Sequence, residues 1–181
     1  IVADRGMLSW DNLDILEGLR LANGQAVEYI VAVAARRYGE WMQPVLDRHD
    51  ELLAQSRTSG QEVFTAIALD GDRRLVVAHD PVRMRQARRQ RARCLNPVLR
   101  QGAALARKLD AQARGAPGRG RRLSDHGARL QLAQAISEAG ASRWLRLDPD
   151  SPLFNWWWEV PALKRDLALD GKLIVVTNVP D

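Results

Sequence analysis

The chain is poor in the residues that build disulfides and histidine-rich metal centres, and in phenylalanine and tyrosine. Its 181 residues include one cysteine, three histidines, two phenylalanines and two tyrosines. Cys94 alone cannot form an intrachain disulfide, and no apolar run approaches the length of a bilayer span. We therefore expect a protein of a reducing, cytoplasmic setting without a membrane segment.

Two kinds of catalytic signature are also missing. The sequence has no glycine-rich phosphate loop and no nucleophile elbow. The histidines have no metal-ligand spacing with the cysteine or with one another, so surface or capping roles are favoured for them. These three residues are His49, His79 and His126.

The chain has enough apolar residues for a core and an uneven distribution of charge. Apolar residues make up 46% of the composition, and the net charge is +5. Residues 83–122 hold thirteen Arg or Lys and one acid, Asp110, so this segment carries +12 and the rest of the chain −7. Such polarity favours a basic surface that faces nucleic acid. The alternative is an Arg-rich solvated helix face from a GC-rich genome.

The first six residues read Ile-Val-Ala-Asp-Arg-Gly, an apolar strand that ends in a carboxylate and a glycine. The carboxyl ends of strands in open α/β sheets are where ligands and metals are usually held, which makes Asp4 a candidate. The alternative is a turn aspartate that caps the next element. Because the chain opens on this strand without an initiator methionine or leader, we expect a piece of a longer protein.

A strand-helix-strand unit is predicted for the first part of the chain. Ser9 is a suitable N-cap for a helix of about three turns, and this helix is expected to end near Asn23 and Gly24. Residues 27–34 are rich in β-forming residues and predict a buried strand. The spacing predicts a parallel βαβ arrangement.

A helix and a β-hairpin are predicted next. Residues 40–55 have apolar positions at helical intervals, with Pro44 in the first turn or breaking it. Residues 62–69 and 74–79 are apolar runs on either side of an Asp-Gly-Asp turn at 70–72. Asp-Gly between two such runs is a strong hairpin signal.

The following segment predicts a long basic helical hairpin over residues 81–140. Asp80 is a suitable N-cap with proline next to it, and an apolar stripe with a period of three to four residues continues to Leu109. Pro97 should kink or divide this helix. Residues 114–122 form a basic, glycine-rich loop before the second helix.

The last part predicts short strands at 144–147 and 173–177, with a short helix at 161–169 between them. Three consecutive tryptophans stand at 156–158. On a strand, the outer two would share one face and the middle one would take the other. Core packing is favoured, and an exposed ring that stacks on an unpaired or flipped base is the alternative.

Three segments occur in a fixed order: residues 2–9 before an amphipathic helix, residues 74–81 before an Arg-rich helix, and residues 170–178, which end in Thr-Asn. Together they resemble the DDE transposases of bacterial insertion sequences, in the branch with a β-rich insertion in an RNase H-like core. The likeness runs in order along nearly the whole chain. Residues 36–60 and 100–142 match only in the type of structure.

The resemblance implies an α/β fold in three parts. Residues 1–35 would be a partial RNase H-like core of strand, helix and strand. Residues 36–169 would be an α+β insertion with the β-hairpin and the basic helical hairpin of about 81–140. Residues 170–181 would be a strand that leads back to the core. The connection at residues 20–25 is longer than expected for the family.

The resemblance also implies the catalytic chemistry. It places the second of three metal-binding acids on Asp4, with the first upstream of Ile1 and the third, a glutamate, beyond Asp181. Such acids hold two Mg²⁺ or Mn²⁺ ions for in-line phosphoryl transfer. The chain alone is therefore expected to be inactive. The longer parent would cut transposon ends and join the freed 3′ hydroxyl to target DNA.

The resemblance implies a bacterial, nucleoid-associated protein whose partner is double-stranded DNA, bound by a parent that forms a homodimer in a synaptic complex. Arg5 would be a companion of the acid, although an exposed or salt-bridged arginine is the alternative, and Gly6 serves turn geometry. The basic helix and loop would grip the DNA backbone without reading sequence. The residues assigned to DNA contact are Arg5, Arg83, Arg85, Arg88, Arg89, Arg93, Arg119, Arg121 and Arg122.

Two rival functions remain open from the sequence. The first is a DNA-binding or regulatory relic of a transposase that lost catalysis. The second is a nucleotide-binding α/β domain with Asp4 on a ribose or magnesium, against which the missing glycine-rich loop argues.

Overall fold

The structure is a computed structural model that describes residues 1–4, 9–34, 42–69, 71–115, 122–148 and 150–180. The chain is mixed α/β in these ranges. Its helices are α1 (Trp10–Gly18), α2 (Gln43–Asp47), α3 (His49–Ser59), α4 (Pro81–Ala113), α5 (Asp125–Glu138) and α6 (Val160–Leu169). Its strands are β1 (Val2–Ala3), β2 (Ile30–Ala32), β3 (Val63–Ala68), β4 (Arg74–His79), β5 (Leu145–Leu147), β6 (Trp156–Trp158) and β7 (Lys172–Thr177).

The chain divides into two compact units, which are described separately. The sheet unit comprises Ile1–Gln86 and Ala168–Asp181, and the helical unit comprises Ala87–Leu167. Helix α4 begins in the sheet unit and continues into the helical unit. No helix in the described ranges is long and apolar enough to cross a bilayer.

The sheet unit is built on five strands in the order β1-β2-β7-β4-β3. Strand β1 runs parallel to β2, as the strand-helix-strand pattern predicted, and the other neighbours are antiparallel. The hairpin of β3 and β4, which the sequence placed inside the insertion, is hydrogen-bonded through β4 to β7 and so belongs to the same sheet.

One face of this sheet forms the core of the unit. Alternate residues of the strands, such as Leu75, Val77 and Val176, point into it. Helices α1, α2 and α3 contribute Leu13, Val45 and Leu52 to the same cluster. On edge strand β3 the alternation leaves Phe64 on the outside, with 64% of its surface exposed.

The predicted end of helix α1 was wrong. Ser9 caps it as expected, its hydroxyl accepting from the Asn12 amide at 3.1 Å, but the helix ends at Gly18. Asn23 and Gly24 instead form a tight turn that the side chain of Asn23 closes on the amide of Gln25 at 3.1 Å. The Asn-Gly pair therefore reverses the chain after the helix and does not cap it.

The second predicted strand, residues 27–34, is shortened to Ile30–Ala32. The cause is the Asn178 side chain, which accepts from the Tyr29 amide at 2.9 Å and donates to the Val27 carbonyl at 3.0 Å. The hydroxyl of Thr177 donates to the Tyr29 carbonyl at 2.6 Å. Side-chain hydrogen bonds thus replace the backbone hydrogen bonds of the β-sheet just before β2.

The predicted helix at 40–55 is two helices, α2 and α3, and Pro44 lies in the first turn of α2 as expected. The hairpin prediction is confirmed for its strands and for Gly71, whose φ is +63°, whereas Asp70 lies outside the described residues. The cap at Asp80 is also confirmed, because its carboxylate accepts from the amides of Val82 and Arg83 at 2.7 and 3.2 Å.

Gly171 is fixed by close contact with the start of α4. Its φ is +76°, and a Cβ there would lie 2.5 Å from the Asp80 carbonyl oxygen and 2.8 Å from the Met84 Cβ. The Asp80 amide donates to the Gly171 carbonyl at 2.9 Å. Only glycine suits this turn, which joins α6 to β7.

The helical unit confirms the predicted helical hairpin. Its core contains Leu95, Val98 and Leu105 of α4 against Leu132 and Ile136 of α5. The chain passes Pro97 without dividing the helix, because α4 is continuous from Pro81 to Ala113. Antiparallel strands β5 and β6 complete the unit.

Candidate catalytic carboxylate and nucleic-acid interface

Asp4 directly follows β1, at the carboxyl end of the parallel β1-β2 pair, and its side chain is exposed. The pair is held by the β-ladder and by the Ile30 amide, which donates to the Ile1 carbonyl at 2.8 Å. The predicted companion Arg5 and Gly6 lie outside the described residues. The carboxylate thus stands at the strand end where α/β sheets hold ligands.

A hard, exposed carboxylate oxygen suits Mg²⁺ or Mn²⁺ as one ligand of several. Within the described ranges, no group of three or more His, Cys, Asp or Glu side chains is placed to hold a metal ion. Asp4 therefore does not form a complete site with the described residues.

A partly buried polar cluster fixes helix α1 against the sheet beside this strand pair. The guanidinium of Arg73 donates to both carboxylate oxygens of Glu17, at 2.6 and 2.7 Å, and also contacts Asp14. The fully buried Tyr29 donates its hydroxyl to Glu17 at 2.6 Å. These bonds connect α1, the end of the hairpin turn and the segment before β2.

The titration of this cluster follows from its hydrogen bonds. The bond from Arg73 lowers the pKa of Glu17, and the Tyr29 hydroxyl adds to that effect. Burial, followed by the bond to Glu17, raises the pKa of Tyr29 well above its usual range. The bond to Glu17 likewise raises the pKa of Arg73. Glu17 and Arg73 are therefore both charged in the folded protein at neutral pH.

Five of the arginines assigned to DNA contact lie on α4, on different sides of the helix. Arg85, Arg89 and Arg93 are exposed and lie within about a third of the helix circumference, since each residue advances by about 100°. Arg83 is exposed but forms an ion pair with Asp80 at 3.4 Å. Arg88 is half-buried on another side.

The predicted basic loop is described only at its ends. Arg122 is exposed and donates to the Gln112 carbonyl at 2.8 Å, while Arg119 and Arg121 lie outside the described residues. The Gln112 side chain accepts from the Leu123 amide at 3.1 Å. This glutamine joins the end of α4 to the start of α5.

Two exposed arginines, Arg100 and Arg107, were not among the residues assigned to DNA contact. They lie on the side of α4 that bears Arg93, seven and fourteen residues beyond it. These two arginines could have been identified from their seven-residue spacing. The count of charges in residues 83–122 did not consider their spacing.

A buried arginine on α4 has a structural role. Arg91 lies on the buried stripe of α4, with its guanidinium 5.5 Å from the centre of the Trp144 ring. Arg143 lies on the same ring at 5.9 Å and pairs with buried Asp166 at 2.9 Å. The Trp144 indole donates to Asp166 at 2.7 Å. This cluster stabilises the helical unit.

The tryptophan run behaves as alternation predicted. Trp156 and Trp158 pack on the core of the helical unit, while Trp157 is 45% exposed on the other face of β6. The register of the ladder places Trp157 opposite Arg146 of β5. Core packing is therefore confirmed for the two outer rings.

The histidines are dispersed among different surroundings. His79 is fully buried at the end of β4. His49, at the start of α3, has its Nδ1 2.8 Å from the Lys172 ammonium. His126 is exposed on α5. Exposed His126 agrees with the surface role favoured by the sequence, whereas the surface or capping role predicted for His79 was wrong, because this residue is buried within β4.

Comparisons with protein-family models, with curated proteins and with solved structures find no match to this chain.

Proposed function

We propose that the chain belongs to a DDE-type transposase and that Asp4 is one of its metal-binding acids. The observation that supports this most directly is the position of Asp4 at the carboxyl end of β1, in a parallel β1-α1-β2 unit. An RNase H-like catalytic core of this kind would be interrupted by the basic helical hairpin. The order of the three sequence motifs supports the same proposal.

In this proposal, Asp4 supplies one carboxylate to a site completed by acids outside these 181 residues. When bound, two Mg²⁺ or Mn²⁺ ions would stabilise the attacking and leaving oxygens of an in-line phosphoryl transfer. The protein contributes the position of the carboxylate, fixed by β1 and its pairing with β2. The parent would cut transposon ends in double-stranded DNA and join them to a target, as a homodimer.

The test compares the full-length parent with its Asp4→Asn variant in a strand-cleavage and strand-transfer assay with Mg²⁺. We expect the variant to lose both reactions and to keep its affinity for DNA, because an amide is a much weaker metal ligand than a carboxylate. The control is Asp11→Asn, the same chemical change at an exposed position of α1. It should leave both reactions intact.

Normal cleavage by Asp4→Asn would refute the assignment. Loss of DNA binding together with cleavage would also contradict it, since it would show that Asp4 supports the fold or the DNA surface. A parent gene without the two partner acids would support the DNA-binding relic in place of the enzyme.

A further inference from the structure

The outer side of α4 presents a row of arginines at a constant interval, Arg93, Arg100 and Arg107, all of them exposed. A helix rises about 1.5 Å per residue, so neighbours in this row are about 10.5 Å apart along the axis. A seven-residue step drifts by only about 20° around the helix. With regular helix geometry, the three residues therefore lie nearly in a straight line along α4. We call it the arginine row.

The arginine row lies opposite the side by which α4 is anchored. Val98 and Leu105 on that other side are buried in the core with α5. Because the anchored side is held by its neighbour helix, the row keeps a fixed direction outward. The helix backbone that carries the row needs no ordering on binding, which favours association with a regular partner.

No carboxylate in the described part of the chain lies within ion-pair distance of the arginine row. Other arginines differ, since Arg73 pairs with Glu17 and Arg143 with Asp166. Arg83 on the same helix pairs with Asp80. The arginine row therefore forms no ion pair with the acids in the described part of the chain. Its charges are available to solvent or to a polyanion.

The residue types on α4 argue against a single-stranded nucleic acid and a membrane surface as the polyanion. Residues 81–113 contain no Phe, Tyr or Trp, so the helix offers no ring on which unpaired bases could stack, as single-strand binders do. Its apolar stripe is buried against α5, so it cannot insert into a membrane surface as an amphipathic helix would. Regularly spaced cations on a rigid rod suit the phosphates of a duplex.

We propose that Arg93, Arg100 and Arg107 bind the phosphate backbone of double-stranded DNA and form an anchoring site that acts independently of Asp4. The row spans about 21 Å, which corresponds to about six base pairs at 3.4 Å per step. The choice of DNA as the polyanion rests on the proposed function. The presence of the site rests on the geometry of α4 alone.

The experiment measures the affinity of the 181-residue chain for a mixed-sequence DNA duplex of about 20 base pairs, between about 50 and 200 mM salt. The variant replaces Arg93, Arg100 and Arg107 with glutamine. The matched control removes three exposed charges elsewhere, at Arg57 of α3 and at Lys164 and Arg165 of α6. Variants with lysine at the row positions keep the charge, and circular dichroism confirms the fold of each protein.

We expect the glutamine variant to bind about tenfold or more weakly, with the slope of log K against log salt smaller by about 3, since each lost phosphate contact removes about 0.9. The control and the lysine variant should keep most of the wild-type slope of log K against log salt. A second duplex of unrelated sequence should be bound equally well.

An equal loss of DNA affinity in the glutamine variant and in the control would contradict the proposed site, because the lower net charge alone would then explain the loss. Tighter binding of a single strand, or of duplex RNA, through the same arginines would overturn the assignment to duplex DNA. A failure of the proposed function would give a different result. The Asp4→Asn parent would then still cleave DNA, while the arginine row would still bind the duplex.

Discussion

At the scale of single residues, Glu17 joins three segments of the sheet unit. It accepts two bonds from Arg73 and one from the buried Tyr29 hydroxyl. Arg73 has 15% of its side chain exposed, so these charges are only partly screened by water. A bidentate arginine-carboxylate pair with a third donor is among the stronger polar contacts in proteins.

The contribution of Glu17 to stability should depend on pH. Its pKa in the folded protein is lowered from 4.5, first by the bond from Arg73. Its stabilisation is therefore complete above the unfolded pKa and is lost as the pH falls through the folded pKa. We expect Glu17→Gln to lower the free energy of unfolding by about 1–3 kcal/mol at neutral pH. The difference should shrink below about pH 4.

Urea unfolding at a series of pH values measures this effect. Glu62→Gln, at an exposed position of the same unit, is the control and should differ little from the wild type at any pH. A loss that stayed constant down to acid pH would show that Glu17 acts through packing and not through its charge.

At the scale of elements, helix α4 is unusual because Pro97 lies inside it. Proline cannot donate to the carbonyl of Arg93, four residues earlier, and its ring crowds that carbonyl. The helix continues because Val98 and the leucines of its buried stripe are held by α5. Tertiary packing therefore outweighs an unfavourable local residue here.

Replacing this proline should stabilise the protein. Pro97 is exposed at the edge of a groove between α4 and α5, and Pro97→Ala restores one helical hydrogen bond. We expect the free energy of unfolding of the helical unit to rise by about 1–3 kcal/mol, measured by thermal or urea denaturation. Asn96→Ala, at the neighbouring exposed position, should gain less than about 1 kcal/mol. A loss of stability in Pro97→Ala would show that the proline is required for the shape of α4.

Elements with strong local signals were predictable from the sequence. The hairpin of β3 and β4 and the start of α4 at Asp80 follow from turn and cap residues that act within a few positions. The end of α1 was missed because Asn23 and Gly24 favour both a helix end and a turn. Sequence alone does not distinguish these two uses.

Contacts between distant segments could not be predicted. Arg73 and Glu17 are 56 positions apart, and Asn178 reaches Tyr29 across 149. The insertion of β7 between β2 and β4 depends on such pairings. For the candidate sites, Asp4 was identified from the strand that precedes it, whereas the arginine row emerged only once α4 was shown to be one helix.

At the scale of the whole molecule, positive charge is concentrated in one stretch of the chain. Residues 83–122 carry +12 against a net charge of +5 for all 181 residues. The candidate metal-binding carboxylate lies in the sheet unit, and the arginine row lies in the helical unit. We propose that the sheet unit supplies the metal-binding carboxylate and that the helical unit binds DNA.

The most direct test of the central claim, that Asp4 binds a catalytic metal ion, is a change of metal preference. Mg²⁺ strongly prefers oxygen ligands, whereas Mn²⁺ tolerates sulfur better. Strand transfer by the Asp4→Cys parent should therefore be lost with Mg²⁺ and partly restored with Mn²⁺. Its Mn²⁺-to-Mg²⁺ activity ratio should exceed that of the wild type by about tenfold or more. Full activity of Asp4→Cys with Mg²⁺, or a ratio equal to that of the wild type, would contradict the account.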